Sequence, residues 1–138
     1  MLKVLIADDE EKICQLIIKL INWEEMGLKI AATASNGIEA LEQAKICKPE
    51  ILITDIRMPG IDGMELIRKV KEKLPDTEII IISGYRHFEY AQTAIRYGVR
   101  NYLLKPIKKE ELRDTLQKIA DIYREKNEQL NFEERVRL

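Results

Sequence analysis

The chain has 138 residues, 46% of them apolar and 34% charged, the balance of an ordinary folded domain rather than of a disordered tail. Its 23 basic and 24 acidic side chains leave a net charge of -1, so no basic field draws nucleic acid to this segment. The length predicts one domain with a buried core, and the first apolar run, Val4 to Ala7, is far too short for a signal peptide or a membrane span, so a cytoplasmic protein is expected.

Val4-Leu5-Ile6-Ala7 is unbroken and apolar, as in a strand covered on both faces, and it stops at Asp8-Asp9. Ile13, Leu16, Ile17, Leu20 and Ile21 then recur at helical spacing. Leu28 to Ala34 reads as a weaker strand, interrupted by Lys29 and Thr33, and suits a sheet edge. Asn36-Gly37 turns into a helix carrying Ile38, Leu41 and Ala44, which Pro49 bars from continuing. Ile51-Leu52-Ile53-Thr54 predicts a third strand ending at Asp55, then a turn region with Pro59, Gly60 and Gly63, then a helix from Met64 to Lys73. Pro75-Asp76 breaks the chain before Ile79-Ile80-Ile81-Ile82, the most strand-like run, which ends at Ser83-Gly84. A helix with Phe88, Ala91, Ala94 and Ile95 closes at Gly98 in the C′ position. Asn101 to Leu104 is the fifth strand, stopping at Lys105-Pro106, and the last helix carries Leu112, Leu116, Ile119 and Tyr123.

Five strand-helix pairs with right-handed crossovers predict an α/β fold, a five-stranded, doubly wound parallel sheet with helices on both faces. With the Val4 strand central, the strand order is 2-1-3-4-5, one of the common orders of such sheets. After Tyr123 the run Arg124-Glu125-Lys126-Asn127-Glu128-Gln129 reads as a solvated helix face, and Leu130, Phe132, Val136 and Leu138 follow without a turn signal. Residues 1–124 are expected to form the domain and 125–138 a charged helical extension. That extension is either a helix leading toward an output module or an ordinary terminal helix. Cys14 and Cys47 lack metal or redox spacing and read as small hydrophobes on helix faces, and His87 reads as a solvated loop side chain.

In an open parallel sheet the strand C-termini meet at one crevice, where ligands bind. Here that crevice would collect Asp8, Asp9, Asp55, Ser83 and Lys105. Two carboxylates about 4 Å apart repel by roughly 4 kcal/mol at an effective dielectric near 20, so the site calls for a cation. Hard oxygen ligands select Mg²⁺ or Mn²⁺, and a divalent ion together with Lys105 would neutralise the three acids. A carboxylate oxygen can attack phosphorus to give an acyl phosphate, after which catalysis is mostly positioning and charge neutralisation. Asp55 suits the acceptor role, Lys105 the cationic one, and the Ser83 hydroxyl and Gly84 N–H can donate to a phosphoryl oxygen. A single Asp such as Asp8 or Asp62 is more often a helix cap or turn former. The joint occurrence at four strand ends is what favours a site.

These motifs resemble the receiver domain of a two-component response regulator, over about Lys3 to Tyr123: the Asp8-Asp9 pair, Asp55 within Asp55-Ile56-Arg57-Met58-Pro59-Gly60, Ser83, and Lys105-Pro106. The resemblance implies a flavodoxin-like fold with Asp55 as phosphoacceptor. It also implies Mg²⁺ held directly by Asp9 and Asp55, through water by Asp8, and by the Arg57 backbone carbonyl. Ser83 would be the switch hydroxyl and Tyr102 the aromatic that swings inward when Ser83 moves. The implied partners are a sensor histidine kinase, a second copy meeting through the last two helices and the strand between them, and DNA only through an output domain outside this chain. Such a domain catalyses only its own phosphorylation and dephosphorylation. The segment Asn22 to Leu28 lengthens the first crossover, with Trp23 packing it to the sheet, and Ser83 to Ala91 is similar to receivers of AraC-type, YesN-like transcriptional regulators. Three rivals stand beside this reading. A haloacid-dehalogenase-type phosphatase places a second acid where this chain has Arg57, a dinucleotide-binding fold lacks its GxGxxG here, and a stand-alone receiver would act by protein contact, in a silent form without accepting phosphate.

Overall fold

The computed structural model of the chain describes residues 1–84, 88–99 and 101–137. Strands β1 (Leu2–Ala7), β2 (Leu28–Ala34), β3 (Ile51–Thr54), β4 (Glu78–Ser83) and β5 (Asn101–Leu104) alternate with helices α1 (Glu11–Leu20), α2 (Gly37–Cys47), α3 (Gly63–Lys73), α4 (Phe88–Arg96) and α5 (Lys109–Arg137). The sheet is parallel throughout in the order β2-β1-β3-β4-β5, as the strand-helix alternation predicts. The central runs are apolar because both faces are covered. Val4 and Ile6 pack with Cys14 and Ile17 of α1, Ile21 just after it, and Leu112, Leu116 and Ile119 of α5. Leu5 and Ala7 point the other way, toward Ala40 and Ala44 of α2, Leu66, Ile67 and Val70 of α3, and Ala94 of α4. β2 and β5 form the edges, which accounts for the polar interruptions in β2 and the half-burial of all of β5.

Local chemistry sets the helix ends. Asn36 Oδ1 accepts the Glu39 N–H at 2.8 Å and Asp62 Oδ1 accepts the Glu65 N–H at 2.9 Å, each satisfying a donor that the helix itself leaves open. α4 closes in a Schellman motif: Gly98, at φ 81°, donates to the Ile95 carbonyl and Val99 donates to Ala94. Cys14 is buried and Cys47 half-buried, both on helices, and burial pushes both thiols up, as suits small hydrophobes. Trp23 is buried in the α1/α5 core and donates its indole N–H to the Ile18 carbonyl. His87, Tyr85 and Arg86 lie outside the described residues.

Three apolar side chains read as core-facing are exposed instead: Leu16, Ile38 and Ile95. In each helix the buried stripe is narrower than the apolar one, running through Cys14 and Ile17, Ala40 and Ala44, and Ala94. α5 continues as one helix for 29 residues, so the charged run is helical. Its inner face is buried through Ala120, and residues 124–133 are all exposed. Between these stretches the Tyr123 hydroxyl lies against the Glu50 and Asp76 backbone carbonyls, tying α5 to the chain just ahead of β3 and β4.

Gly63 opens α3 directly beneath the end of β3, where its N–H donates to the Ile56 carbonyl at 2.6 Å. A Cβ there would collide with the Asp55 carbonyl oxygen and come within 2.8 Å of Ile56 Cα. Gly98 meets nothing within 4 Å and needs only its left-handed φ. Gly98→Ala should therefore cost about 1–2 kcal/mol of backbone strain, and Gly63→Ala about 3 kcal/mol or more, since backbone must move. Urea denaturation of both variants checks the ordering, with Gly63→Ala the less stable.

Candidate functional site

The hydrogen-bond ladders of the sheet run one residue past β1, β3 and β5 and fix the backbone of the polar residues that follow. The Asp8 N–H donates to the Ala34 carbonyl, the Asp55 N–H to Ala7, and the Lys105 N–H to Ser83, at 3.0, 3.1 and 2.9 Å. Ala7 is in register with Thr54, which places Asp8 beside Asp55. Ser83 is in register with Leu104, which places Lys105 beside the end of β4. The Lys105–Pro106 peptide is cis.

The side chains close over this frame. The Lys105 ammonium donates to Asp55 Oδ2 at 2.9 Å and to Asp8 Oδ2 at 3.2 Å, bridging two carboxylates that are 7% and 3% exposed. The opposite oxygens are held by backbone: Asp55 Oδ1 accepts the Ile56 N–H at 2.7 Å, and Asp8 Oδ1 accepts the Glu10 N–H at 2.9 Å. Asp8 and Asp55 thus have one oxygen on the chain and one on the shared cation. Asp9 is exposed at the rim, and ligand oxygens of Asp8, Asp9 and Asp55 lie within 4.8 Å of one another.

Electrostatics follow from this crowding. Burial raises the Asp8 value above the ordinary carboxylate range, outweighing the Glu10 N–H and the Lys105 charge that pull it down. Burial alone would lower Lys105, but its hydrogen bond to Asp55 and the charges of Asp55 and Asp8 prevail and raise it. Three convergent carboxylates with one ammonium leave negative charge uncompensated, and the donors are all hard oxygens. Such a set fits a small divalent cation of the Mg²⁺ type, which takes one or two carboxylates and keeps water for the rest.

Ser83 is fully buried at the end of β4, and Tyr102 of β5 is half-buried beside it. Burial raises the Tyr102 phenol, a hydrogen bond with the Ser83 side chain opposes the shift, and the Asp55 charge adds to it. The tyrosine expected to swing inward is therefore in hydrogen-bond contact with the serine. Arg57 follows Asp55 by two residues on the same loop with its side chain exposed. Asp62 stands apart as the N-cap of α3. Sequence reading left out two contributors. Gly63 allows the loop to fold under Asp55, its signal being a glycine directly after a capping Asp. Thr54 donates its hydroxyl to the Asp55 carbonyl at 2.9 Å, its signal a polar residue closing an otherwise apolar strand.

A doubly wound parallel sheet with a lysine-bridged acidic crevice at its strand C-termini defines an α/β domain of the class that places its ligand site at the strand ends. The chain belongs to the response regulator receiver domain family, whose model matches residues 4–117. It is 40% identical over 139 residues to the transcriptional regulatory protein YesN of Bacillus subtilis, an alignment covering 96% of this chain and 38% of that protein. The receiver domain of AraT from Geobacillus stearothermophilus superposes with a TM-score of 0.87 at 41% identity, covering 91% of this chain and 98% of that one. A two-component AraC transcriptional regulator from Clostridium phytofermentans superposes at 0.81 with 36% identity, covering 88% and 94%. The chain thus spans well under half the length of its YesN relative. Among the described residues no helix is long and apolar enough to cross a membrane.

The two raised values set opposite ends of the pH dependence. Each group contributes stability that is present in full below its unfolded-state value and is lost as pH rises through its folded one. For Lys105 that loss lies in the alkaline range, above the ordinary lysine value. For Asp8 it lies above the ordinary aspartate value, so wherever that carboxylate is ionised it weighs against the fold. In EDTA at pH 7, Asp8→Asn should melt a few degrees above wild type, and the gap should shrink toward acid pH as the native Asp8 protonates. A scanning-calorimetry series in pH checks both the sign and the window.

Proposed function

We propose that the domain accepts a phosphoryl group on Asp55 from a sensor histidine kinase and converts the added charge into a change of surface. The observation that carries this reading is the Asp55 carboxylate, held on one side by the Ile56 N–H and on the other by Lys105, beside Asp8 and Asp9. An Asp55 oxygen forms the new bond to phosphorus while the bond from phosphorus to the kinase imidazole breaks. Lys105 gives up part of its contact with the carboxylate to meet the phosphoryl oxygens, and the Ser83 hydroxyl and Gly84 N–H donate to them. Asp9 and Asp55 directly, Asp8 through water, and the Arg57 backbone carbonyl would hold Mg²⁺, which when bound supplies neutralising charge to the acids and the incoming group. Hydrolysis of the acyl phosphate in the same site returns the domain to its starting state, so its catalysis is confined to its own phosphorylation and dephosphorylation.

The added charge of about -1.5 to -2 draws Ser83 toward the acceptor, and its hydrogen bond with Tyr102 carries the displacement to β5. Taking such a switch from 1:99 to 99:1 requires roughly 5.5 kcal/mol of difference between states. The surface of α4, β5 and α5 is the natural reader, through pairing of two copies. Residues 1–124 act as the receiver and 125–138 as a helical linker to an output region. The longer relatives carry transcriptional regulator names. Together with the AraC name of the Clostridium phytofermentans regulator, this supports an AraC-type DNA-binding output outside this chain.

Acetyl phosphate with Mg²⁺ should add one phosphoryl mass to the wild-type chain in intact mass spectrometry. Asp55→Ala or excess EDTA should abolish the adduct, and an undiminished yield in Asp55→Ala would overturn the assignment.

A further inference from the structure

Asp55 has its carboxylate oriented by the peptide group that follows it. The N–H of the Asp55–Ile56 peptide binds Asp55 Oδ1 at 2.7 Å, and at the other end of the same peptide the Asp55 carbonyl accepts the Thr54 hydroxyl at 2.9 Å. A peptide is planar and its C=O and N–H point in opposite directions, so a hydrogen bond that fixes the carbonyl also aims the N–H. The Thr54 hydroxyl is fully buried and has no water to turn to. Gly63 packs so close to this peptide that a Cβ on it would collide with the Asp55 carbonyl. The plane is therefore held by a donor on its carbonyl in closely packed surroundings.

The structure assigns Thr54 as a positioning residue for the acceptor, acting through the Asp55–Ile56 peptide to keep Oδ1 on the Ile56 N–H and Oδ2 toward Lys105. This deepens the phosphoacceptor reading of Asp55 and rests on it for its catalytic consequence. A threonine at this point does what an apolar strand residue of the same shape cannot: it supplies a donor to a carbonyl that has left the β ladder. Without that donor the buried carbonyl seeks another partner by rotating the peptide, and the Ile56 N–H turns away from Oδ1. The acceptor oxygen then samples directions away from the incoming phosphorus, which slows transfer without removing any group that touches it.

Thr54→Val keeps the shape and deletes the donor, whereas Thr54→Ser keeps the donor. With each variant folded by circular dichroism, phosphoryl uptake from acetyl phosphate at saturating Mg²⁺ should fall about tenfold in Thr54→Val and recover in Thr54→Ser. A purely structural role would lower the urea midpoint of Thr54→Val and leave uptake by its folded fraction untouched. A second readout does not depend on phosphorylation. In ¹H–¹⁵N spectra the Ile56 amide should sit downfield in wild type and Thr54→Ser and move upfield in Thr54→Val. An Ile56 amide unmoved by Thr54→Val, or uptake in folded Thr54→Val equal to wild type, overturns the assignment. A wild type that takes up no phosphoryl group while its Ile56 amide still responds to Thr54→Val defeats the acceptor reading and leaves the positioning geometry standing.

Discussion

The Lys105 ammonium, shared between Asp8 and Asp55, is the interaction on which the upper end of the sheet depends. Two buried carboxylates at the ends of neighbouring strands repel each other in this poorly solvated crevice, and the ammonium between them offsets that repulsion. The lysine directly follows β5, three strands from β1 in the sheet order, with β3 and β4 between. Its reach holds the crevice together across the sheet, and its backbone is fixed in turn by the Ser83 carbonyl.

Around that cation the site is built for function rather than for stability. Asp8 sits in surroundings that favour its protonated form, and three acids converge where one amine bridges two of them. Such stored electrostatic cost is characteristic of functional sites, where removing a charge commonly stabilises the fold. A divalent cation binding only the folded chain would relieve the cost and add stability by mass action. The opposite end of the sheet is organised differently. There Tyr123 lies against two backbone carbonyls and Thr77 donates to the Pro49 carbonyl at 2.8 Å.

The alternation of apolar runs with helical periods was enough to read the element order, the sheet class and the edge position of β2, because strands covered on both faces must be apolar throughout. It was also enough to single out the acids, the serine and the lysine, since each interrupts an apolar run at the same relative point. Apolar period was a poorer guide to which helix residues are buried. Leu16, Ile38 and Ile95 fit the period and face solvent, because a helix packed on a sheet covers a narrow stripe and the rest of an apolar face stays outside it.

Amino-acid order alone carried the class of fold and the identity of the charged residues at its edge, because both are written in local patterns of polarity. Which oxygen meets which donor was decided only by folding. The pairing of Asp55 Oδ2 with Lys105, the contact of Ser83 with Tyr102, the collision that reserves position 63 for glycine and the hydroxyl of Thr54 on the Asp55 carbonyl depend on strand register and on a loop folding back beneath its own strand. Distances of that kind arise between segments tens of residues apart or from the exact plane of one peptide, and no periodicity in the chain encodes either.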